Sequence, residues 1–202
     1  TLLYDGLGYM PAGIRRGMNT LDNIHKAAKK EFLDKGFQMA SLRNIVKNAG
    51  VTTGAFYGYY KSKEELFDAL VGKQYEHIMK MYIDVQNGFK KLDANTQQTS
   101  MGEVAKDCMD NMLDYMYENE DEFRLILLSS QGTRYENMVH EMSGIEVTAT
   151  HDFVDTMKRN GKPIKSVDPM LEHVLASGMF FAFLNYLFIK MISRKPRLIL
   201  SS

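Results

Sequence analysis

Residues 41–66 read SLRNIVKNAGVTTGAFYGYYKSKEEL, and their spacing decides the fold of the amino-terminal part of the chain. Ser41 is suited to cap a short helix, and Gly50 can adopt the left-handed conformation that ends it. A second short helix is predicted from Thr52 to about Tyr59. Two short helices joined by a three-residue turn are the layout of a helix-turn-helix unit.

A longer helix is predicted before this unit and another after it. Thr20 is the expected cap of the first one, in which apolar residues recur at three- and four-residue spacing until Gly36. After the unit, Ser62 and Glu65 have the spacing of a capping box, which predicts that a further helix begins there. We therefore expect the first helix to pack on the buried side of the helix-turn-helix.

The residues of the unit separate into an inner and an outer set. The predicted inner set is apolar and consists of Leu42, Ile45, Val46, Ala49, Val51, Phe56 and Tyr60. The predicted outer set carries hydrogen-bonding or small side chains and consists of Arg43, Thr52, Thr53, Gly54, Tyr57 and Tyr59. An outer face of this kind is what a helix-turn-helix places in the major groove of DNA.

Beyond Leu66 the apolar periodicity is helical throughout, and long alternating β-branched runs are missing. The predicted helices cover residues 66–89, 104–117, 123–129, 135–159 and 169–192. A chain of 202 residues with 45% hydrophobic residues can bury a sizeable core. We predict an all-α fold of about nine helices, with a flexible arm over 1–18, a helix-turn-helix domain over 19–66 and a ligand-binding and dimerisation domain over 67–202.

The net charge of zero hides an asymmetry between the two ends of the chain. Residues 1–63 contain ten basic and four acidic residues, a net charge of +6, and the remainder therefore carries −6. A positive amino-terminal part would attract a phosphate backbone, although most charge runs only solvate a helix face.

Cysteine usage and targeting signals predict a cytoplasmic protein. The single cysteine, Cys108, excludes an internal disulfide framework and suits a reducing compartment. The first residues lack the basic start and long apolar run of a secretory signal. The longest uncharged stretch, residues 174–189, is shorter than the roughly 18 to 20 residues that span a bilayer, so we interpret it as a buried helix and expect no membrane contact.

Motifs for catalysis are absent from the sequence. It contains no Walker loop, dinucleotide-binding glycine fingerprint, metallohydrolase histidine pattern or nucleophile elbow. His140 and His151 share a helix face, but no further residue completes a metal site. We therefore expect neither an enzyme nor a cofactor or metal.

The chain resembles the TetR family of transcriptional regulators over residues 20 to about 70. The resemblance rests on Thr20, Ile24, Ala28, Phe32 and Gly36, followed by GVTTGAFYGYYKSKEELF over residues 50–67. It implies a homodimer that reads a palindromic DNA operator with its third helix. It also implies a divergent helical remainder that dimerises and holds an inducer.

Roles for individual residues follow from this resemblance. Tyr57 and Lys63 would contact phosphates, and Ser41 would cap the second helix near the DNA backbone. The residues nearest the bases would be Arg43, Thr53, Gly54 and Tyr59, with Thr52 beside them. Arg43 has the reach to bind guanine, and a phosphate contact by this residue remains open. Lys63 sits in the first turn of its helix, where a cation is unfavourable unless an anion lies opposite.

The carboxy-terminal sequence PMLEHVLASGMFFAFLNYLFIKMI, residues 169–192, is apolar nearly all round. A partner subunit would cover such a helix in a homodimer, and burial within one subunit is the alternative. An apolar or amphipathic small molecule is the expected inducer. The candidate ligand-binding residues are Met112, Tyr115, Met116, His140 and His151.

The resulting prediction is a ligand-responsive DNA-binding regulator, with repression as the expected outcome. The alternative is a helical small-molecule-binding or adaptor protein that has the small amino-terminal domain without sequence-specific DNA binding. Salt-dependent affinity for a preferred DNA sequence would distinguish the two.

Overall fold

The computed structural model describes the backbone of residues 12–162 and 167–193 and the side chains of residues 19–162, 167–186 and 189. This part of the chain is all-helical, which confirms the predicted fold class. Its eight helices are α1 (Ala12–Met39), α2 (Leu42–Asn48), α3 (Thr53–Tyr57), α4 (Lys63–Lys90), α5 (Ala94–Glu118), α6 (Glu120–Ser129), α7 (Met138–Arg159) and α8 (Pro169–Ser193). Within these residues, no helix combines the length and apolar character needed to cross a membrane.

Two predicted helix starts are wrong. α1 begins at Ala12 rather than at Thr20, so residues 12–18 are helical and not part of a loose arm. Residues 1–11 of that predicted arm lie outside the described residues. α5 begins at Ala94, about ten residues before the predicted start, because Asp93 accepts hydrogen bonds from the next amides and caps the helix.

The helix stop predicted at Gly36 and the cap predicted at Ser62 are confirmed. Gly36 breaks the helical geometry of α1 with φ of 72°, a left-handed value that glycine adopts at little cost. Ser62 Oγ accepts the amide of Glu65 at 3.1 Å. The Glu65 carboxylate in turn accepts the amide of Lys61 at 2.7 Å, one residue before the cap.

The chain divides into two compact units. Unit 1 comprises residues 1–72 and 125–133, and unit 2 comprises residues 73–124 and 134–202, as far as they are described. Unit 1 therefore extends past the predicted boundary at residue 66 and takes in a later segment. The assignment of DNA binding and ligand binding to separate domains stays a prediction.

The core of unit 1 contains the apolar residues predicted from the helical periodicity. Ile24, Ala28 and Phe32 of α1 are fully buried. Phe32 and Phe67 meet edge to face with ring centroids 5.0 Å apart, a favoured geometry for aromatic pairs. This contact joins α1 to the first turns of α4, so both long helices support the helix-turn-helix between them.

Unit 2 is held together by packing of α7 on α8 and by hydrogen bonds between α4 and α7. The Tyr75 hydroxyl donates to Glu141 at 2.6 Å, and the Tyr82 hydroxyl donates to Glu146. Lys90 and Asp152 form an ion pair at 2.7 Å between the same two helices. These pairs fix the register of α4 against α7.

Candidate nucleic-acid interface and internal cavity

The turn of the helix-turn-helix is set by two caps and one glycine. Ser41 Oγ accepts the amide of Asn44 at the start of α2, as predicted. Gly50 has φ of 66°, and the Val51 amide donates back to Val46 at 3.3 Å to close the end of α2. Thr52 then caps α3 by accepting the amide of Ala55 at 3.1 Å.

α3 is anchored on one side and exposed on the other. Phe56 has no exposed surface, whereas the adjacent Tyr57 is 53% exposed. All six residues of the predicted outer set are exposed, namely Arg43, Thr52, Thr53, Gly54, Tyr57 and Tyr59. α3 spans only five residues, fewer than the predicted range from Thr52 to Tyr59.

Gly54 lies at the centre of the exposed side of α3. A Cβ atom built at this position would meet nothing within 4 Å. The glycine is therefore not required by packing within the chain. Its lack of a side chain leaves the backbone of α3 open to close approach by another molecule.

Glu31 fixes the position of α2 against α1, a role that was not predicted from the sequence. Its buried carboxylate accepts the Ser41 amide at 3.1 Å, the Asn44 side chain at 3.2 Å and the Lys35 ammonium at 3.1 Å. The only sequence signal was its place on the buried face of α1, one residue before Phe32. A charged residue at such a position needs several partners.

Burial by itself raises the pKa of Glu31, but the hydrogen bonds from Ser41, Lys35 and Asn44 outweigh it and lower the pKa below its ordinary value. A carboxylate whose pKa is lower in the folded state stabilises the fold above its unfolded pKa. That contribution disappears as the pH falls through the folded pKa.

We predict that Glu31→Gln lowers the free energy of unfolding by about 1.5–3 kcal/mol at pH 7, because charge-assisted hydrogen bonds are weakened. The difference from the wild type should shrink in acid, as the pH falls below the ordinary glutamate pKa of about 4.3 and then through the lowered pKa of Glu31 in the folded state. Urea unfolding of both proteins at the two pH values measures this. Asp34→Asn, an exposed substitution on the same helix, is the control. An equal difference at both pH values would contradict the role of the charge.

Lys63 has different partners from the predicted phosphate. Its ammonium donates to the carbonyl oxygens of Phe37 at 2.7 Å and of Gln38 and Ala40 at 3.2 Å each. It also lies 4.5 Å from the centre of the Phe37 ring. These acceptors engage all three ammonium donors, so carbonyl oxygens at the end of α1 offset the unfavourable position of a cation at the start of α4.

A second contact that was not predicted from the sequence joins α1 to the end of the helix-turn-helix. The His25 ring nitrogen is hydrogen-bonded to the hydroxyl of buried Tyr60. Burial lowers the pKa of His25, against a smaller opposing effect of Asp22. Glu31, Lys63 and His25 together fix the frame that presents the exposed side of α3.

Unit 2 encloses a cavity of about 510 Å³, within the range of pockets for small organic molecules. We call it the aromatic cavity because five aromatic rings line it. These are Tyr82, Phe89, Phe153, Phe180 and Phe183. Further lining residues include Met101, Met109, Met112 and Met179, together with Gln86, Glu146 and Glu172.

Of the five predicted ligand-binding residues, only Met112 lines this cavity. Met116 is buried outside its lining, and Tyr115 packs against His77 with ring centroids 4.2 Å apart. His140 lies beside His173, and His151 bonds Glu172 while half of its own side chain is exposed. Their aromatic and imidazole groups are used in contacts between helices, which periodicity within one helix does not reveal.

The polar groups that do line the aromatic cavity come from three helices. Tyr82 and Gln86 lie on α4, Glu146 on α7 and Glu172 on α8. A glutamate within the apolar sequence PMLEHVL was an available signal for Glu172. No sequence signal brings Glu146 together with Tyr82, because their separation along the chain is 64 residues.

Unit 2 has a second cavity, of about 630 Å³, lined by polar and apolar residues of α4, α5 and α7. Its polar lining includes Gln97, whose amide nitrogen donates to the carbonyls of Lys90 and Leu92. Lys90 and Asp152, which pair with each other, also line it. Within the described residues, no group of three acidic, histidine or cysteine side chains is placed to hold a metal ion.

The exposed side of α3, its buried anchor and the two supporting helices define a helix-turn-helix protein. Residues 24–70 match the family model for bacterial regulatory proteins of the tetR family. Over these residues the chain carries the helix-turn-helix DNA-binding domain of the TetR family of transcriptional regulators. The relatives that share this domain are transcriptional regulators, which agrees with the prediction that the chain is not an enzyme.

Two curated relatives show the extent of the sequence match. The uncharacterized HTH-type transcriptional regulator YdgC of Bacillus subtilis is 33% identical over 82 residues, which are 40% of this chain and 42% of YdgC. The HTH-type transcriptional repressor BepR of Brucella suis is 35% identical over 54 residues, 27% of this chain and 26% of BepR. The chain thus matches less than half the length of these relatives.

The likeness to solved structures extends further along the chain. The structure of a transcriptional regulator of the TerR/AcrR family from Aquifex aeolicus aligns with a TM-score of 0.52. The alignment covers 89% of this chain and 91% of the Aquifex chain. Its sequence identity is 18%, so this likeness shows the fold alone.

Proposed function

We propose that this chain is a ligand-responsive transcriptional repressor that binds a palindromic DNA operator as a homodimer. The observation that carries the proposal is the exposed side of α3 beside a fully buried Phe56. This arrangement exposes the hydrogen-bonding side chains of the helix-turn-helix while its apolar side is anchored. Contact with base edges in the major groove requires such an exposed face. The name of BepR as a repressor supports the direction of the effect.

Each exposed residue has a proposed role at the operator. Arg43 contacts a base, and Thr52 and Thr53 offer methyl groups to thymine. Gly54 allows the backbone of α3 to approach the groove. Tyr57 donates its hydroxyl to a phosphate, and Ser41 and Tyr59 lie at the edges of the contact. Lys63 is left out of this set because its ammonium is held by the carbonyls of α1.

A second copy of the chain is the proposed partner of α8. One side of this helix is buried in unit 2 through Ala176, Phe180 and Leu184. Its other side exposes Met170 at 77%, Val174 at 59% and Phe181 at 66%. Large apolar side chains exposed along one helix are typical of an interaction surface, and a two-fold dimer buries the same surface of both copies.

Two-fold symmetry also relates the dimer to its operator. Paired recognition helices enter successive major grooves about 34 Å apart, which matches a palindromic site.

α4 carries residues of both units, from Lys63 beside α1 to Tyr82 and Gln86 at the aromatic cavity. We propose that ligand binding shifts α4 and changes the distance between the two α3 helices of the dimer. Ligand and operator would then weaken each other's binding.

Selection of bound fragments from random DNA by the purified chain tests this function. We expect a palindromic sequence and an affinity that falls linearly with the logarithm of salt concentration. Recovery of fragments without a shared sequence would favour the alternative, a ligand-binding or adaptor protein that does not read DNA.

We predict that Tyr57→Phe and Arg43→Ala weaken DNA binding in different ways. Tyr57→Phe removes one phosphate contact, so affinity for operator and random DNA should fall by a similar factor, about three- to tenfold. Arg43→Ala should cost about 1–3 kcal/mol on the operator and relax the preference at one base pair. Fluorescence anisotropy with both DNAs measures the two effects.

Lys158→Ala, which removes the same charge from an exposed position on α7, is the matched control for Arg43→Ala. It should leave both affinities unchanged. Equal losses on operator and random DNA for Arg43→Ala would assign Arg43 to the phosphate backbone instead.

A further inference from the structure

The aromatic cavity is largely apolar, but its lining includes negatively charged side chains. Two carboxylates line it, those of Glu146 and Glu172. Among the described residues, neither lysine nor arginine contributes to the lining. A ligand in this cavity therefore meets two carboxylates and no lysine or arginine of the described lining.

Glu146 is bound by neutral groups. Its Oε2 atom accepts the hydroxyl of Tyr82 and the amide of Gln86, the latter at 2.8 Å. Burial, followed by the hydrogen bond to Glu146, raises the pKa of Tyr82, so this phenol remains a neutral donor. No ion-pair partner of Glu146 occurs within the described part of the chain. The two hydrogen bonds orient the carboxylate but do not neutralise it.

Glu172 brings the second negative charge to the same cavity. Its side chain is only 9% exposed, and one oxygen is bonded to His151. His151 itself is outside the lining and half-exposed. A buried carboxylate that faces an apolar space favours a cation as its neighbour.

The aromatic walls of the cavity also favour a cationic ligand. The rings of Tyr82 and Phe180 meet edge to face at 5.5 Å, and those of Phe89 and Phe153 lie 6.2 Å apart. Aromatic faces attract cations through their quadrupole, and the attraction grows when water is excluded. Methionine sulfurs in the lining are polarizable and adapt to ligand shape.

We propose that the aromatic cavity selects a hydrophobic organic cation, such as a bulky amine, quaternary ammonium or phosphonium ion, over an anion of the same shape. The proposal rests on the ligand-binding role given under Proposed function and names the class of ligand. The carboxylates supply the charge, the rings supply apolar and cation–π contact, and the volume admits a molecule of several rings. An anionic ligand such as a fatty acid would meet two carboxylates at close range.

Two ions of equal shape and opposite charge test the proposal on the full chain. Tetraphenylphosphonium and tetraphenylborate are titrated separately into the protein, in sodium buffer, by isothermal titration calorimetry. The phosphonium ion is expected to bind more tightly by at least about tenfold, which corresponds to about 1.4 kcal/mol. This comparison uses the wild type and does not depend on the folding of any variant.

Glu146→Gln then tests the carboxylate. The variant keeps an oxygen that accepts from Tyr82 and Gln86, so the local hydrogen bonds remain. We expect the affinity for tetraphenylphosphonium to fall about tenfold and the preference over tetraphenylborate to shrink. Glu118→Gln, an exposed substitution on α5, removes the same charge away from the cavity and should change neither value.

Equal affinities for the two ions, tighter binding of the borate, or no binding of either ion would overturn the proposal. An unchanged phosphonium affinity in Glu146→Gln would do the same. These outcomes leave the DNA selection experiment unaffected, so failure of the ligand class is distinguished from failure of the regulator function. Phosphonium binding that does not alter operator affinity would instead contradict the coupling between ligand and operator.

Discussion

Replacing Phe181 by glutamate is expected to convert the proposed dimer into monomers and to lower operator affinity by about a hundredfold or more, because two linked recognition helices bind far more tightly than one. Phe181 is 66% exposed on α8, so the change should leave each subunit folded. A charge on this side would have to be desolvated in the dimer without a partner. Light scattering after size-exclusion chromatography measures the mass, and anisotropy measures the affinity.

Gln98→Glu is the matched control for the dimer surface. Gln98 is exposed on α5, and its substitution introduces the same carboxylate away from α8. We expect this variant to keep the dimer mass and the operator affinity of the wild type. If Phe181→Glu also stays dimeric, the exposed side of α8 is not the subunit interface.

Replacing Phe56 by alanine is expected to lower the free energy of unfolding by about 3–5 kcal/mol and to abolish specific DNA binding. α3 has five residues and includes Gly54, so it cannot hold its shape without tertiary contact. Fully buried Phe56 supplies that contact against Tyr60 and the rest of unit 1. Urea unfolding at fixed protein concentration measures the stability, and anisotropy measures the binding.

Tyr57→Ala separates anchoring from DNA contact. It removes an aromatic ring from the exposed position next to Phe56, so the urea midpoint should change little while DNA affinity falls. If the Phe56→Ala protein is as stable as the wild type and still binds its operator specifically, α3 does not depend on Phe56 as its anchor.

The helix-turn-helix could be predicted because its signals are local. Ser41, Gly50 and Ser62 act on amides within a few residues, and the structure places each of them in the expected cap or turn. The alternation of Phe56 and Tyr57 between the core and solvent follows from helical geometry alone.

Helix starts were harder to predict where glycine and polar residues, which favour a loop, lie inside a longer helix. The predicted helices left residues 90–103, which include Gly102, outside any helix, yet α5 begins at Ala94 and continues through this glycine. One glycine costs about 1 kcal/mol in a helix, which a helix of this length can absorb once part of it is packed. α1 likewise extends to Ala12 through a segment that contains two glycines, Gly13 and Gly17.

The amino-acid sequence by itself determined the helical class, the turn of the DNA-binding unit and the direction in which α3 faces. Only the tertiary structure decided that Lys63 binds the carbonyls of α1, that Glu31 holds α2, and that Glu146 lies beside Tyr82 in an apolar cavity. Caps and periodicity depend on neighbours within about one helical turn. The charge and partners of a cavity depend on residues that only packing brings together.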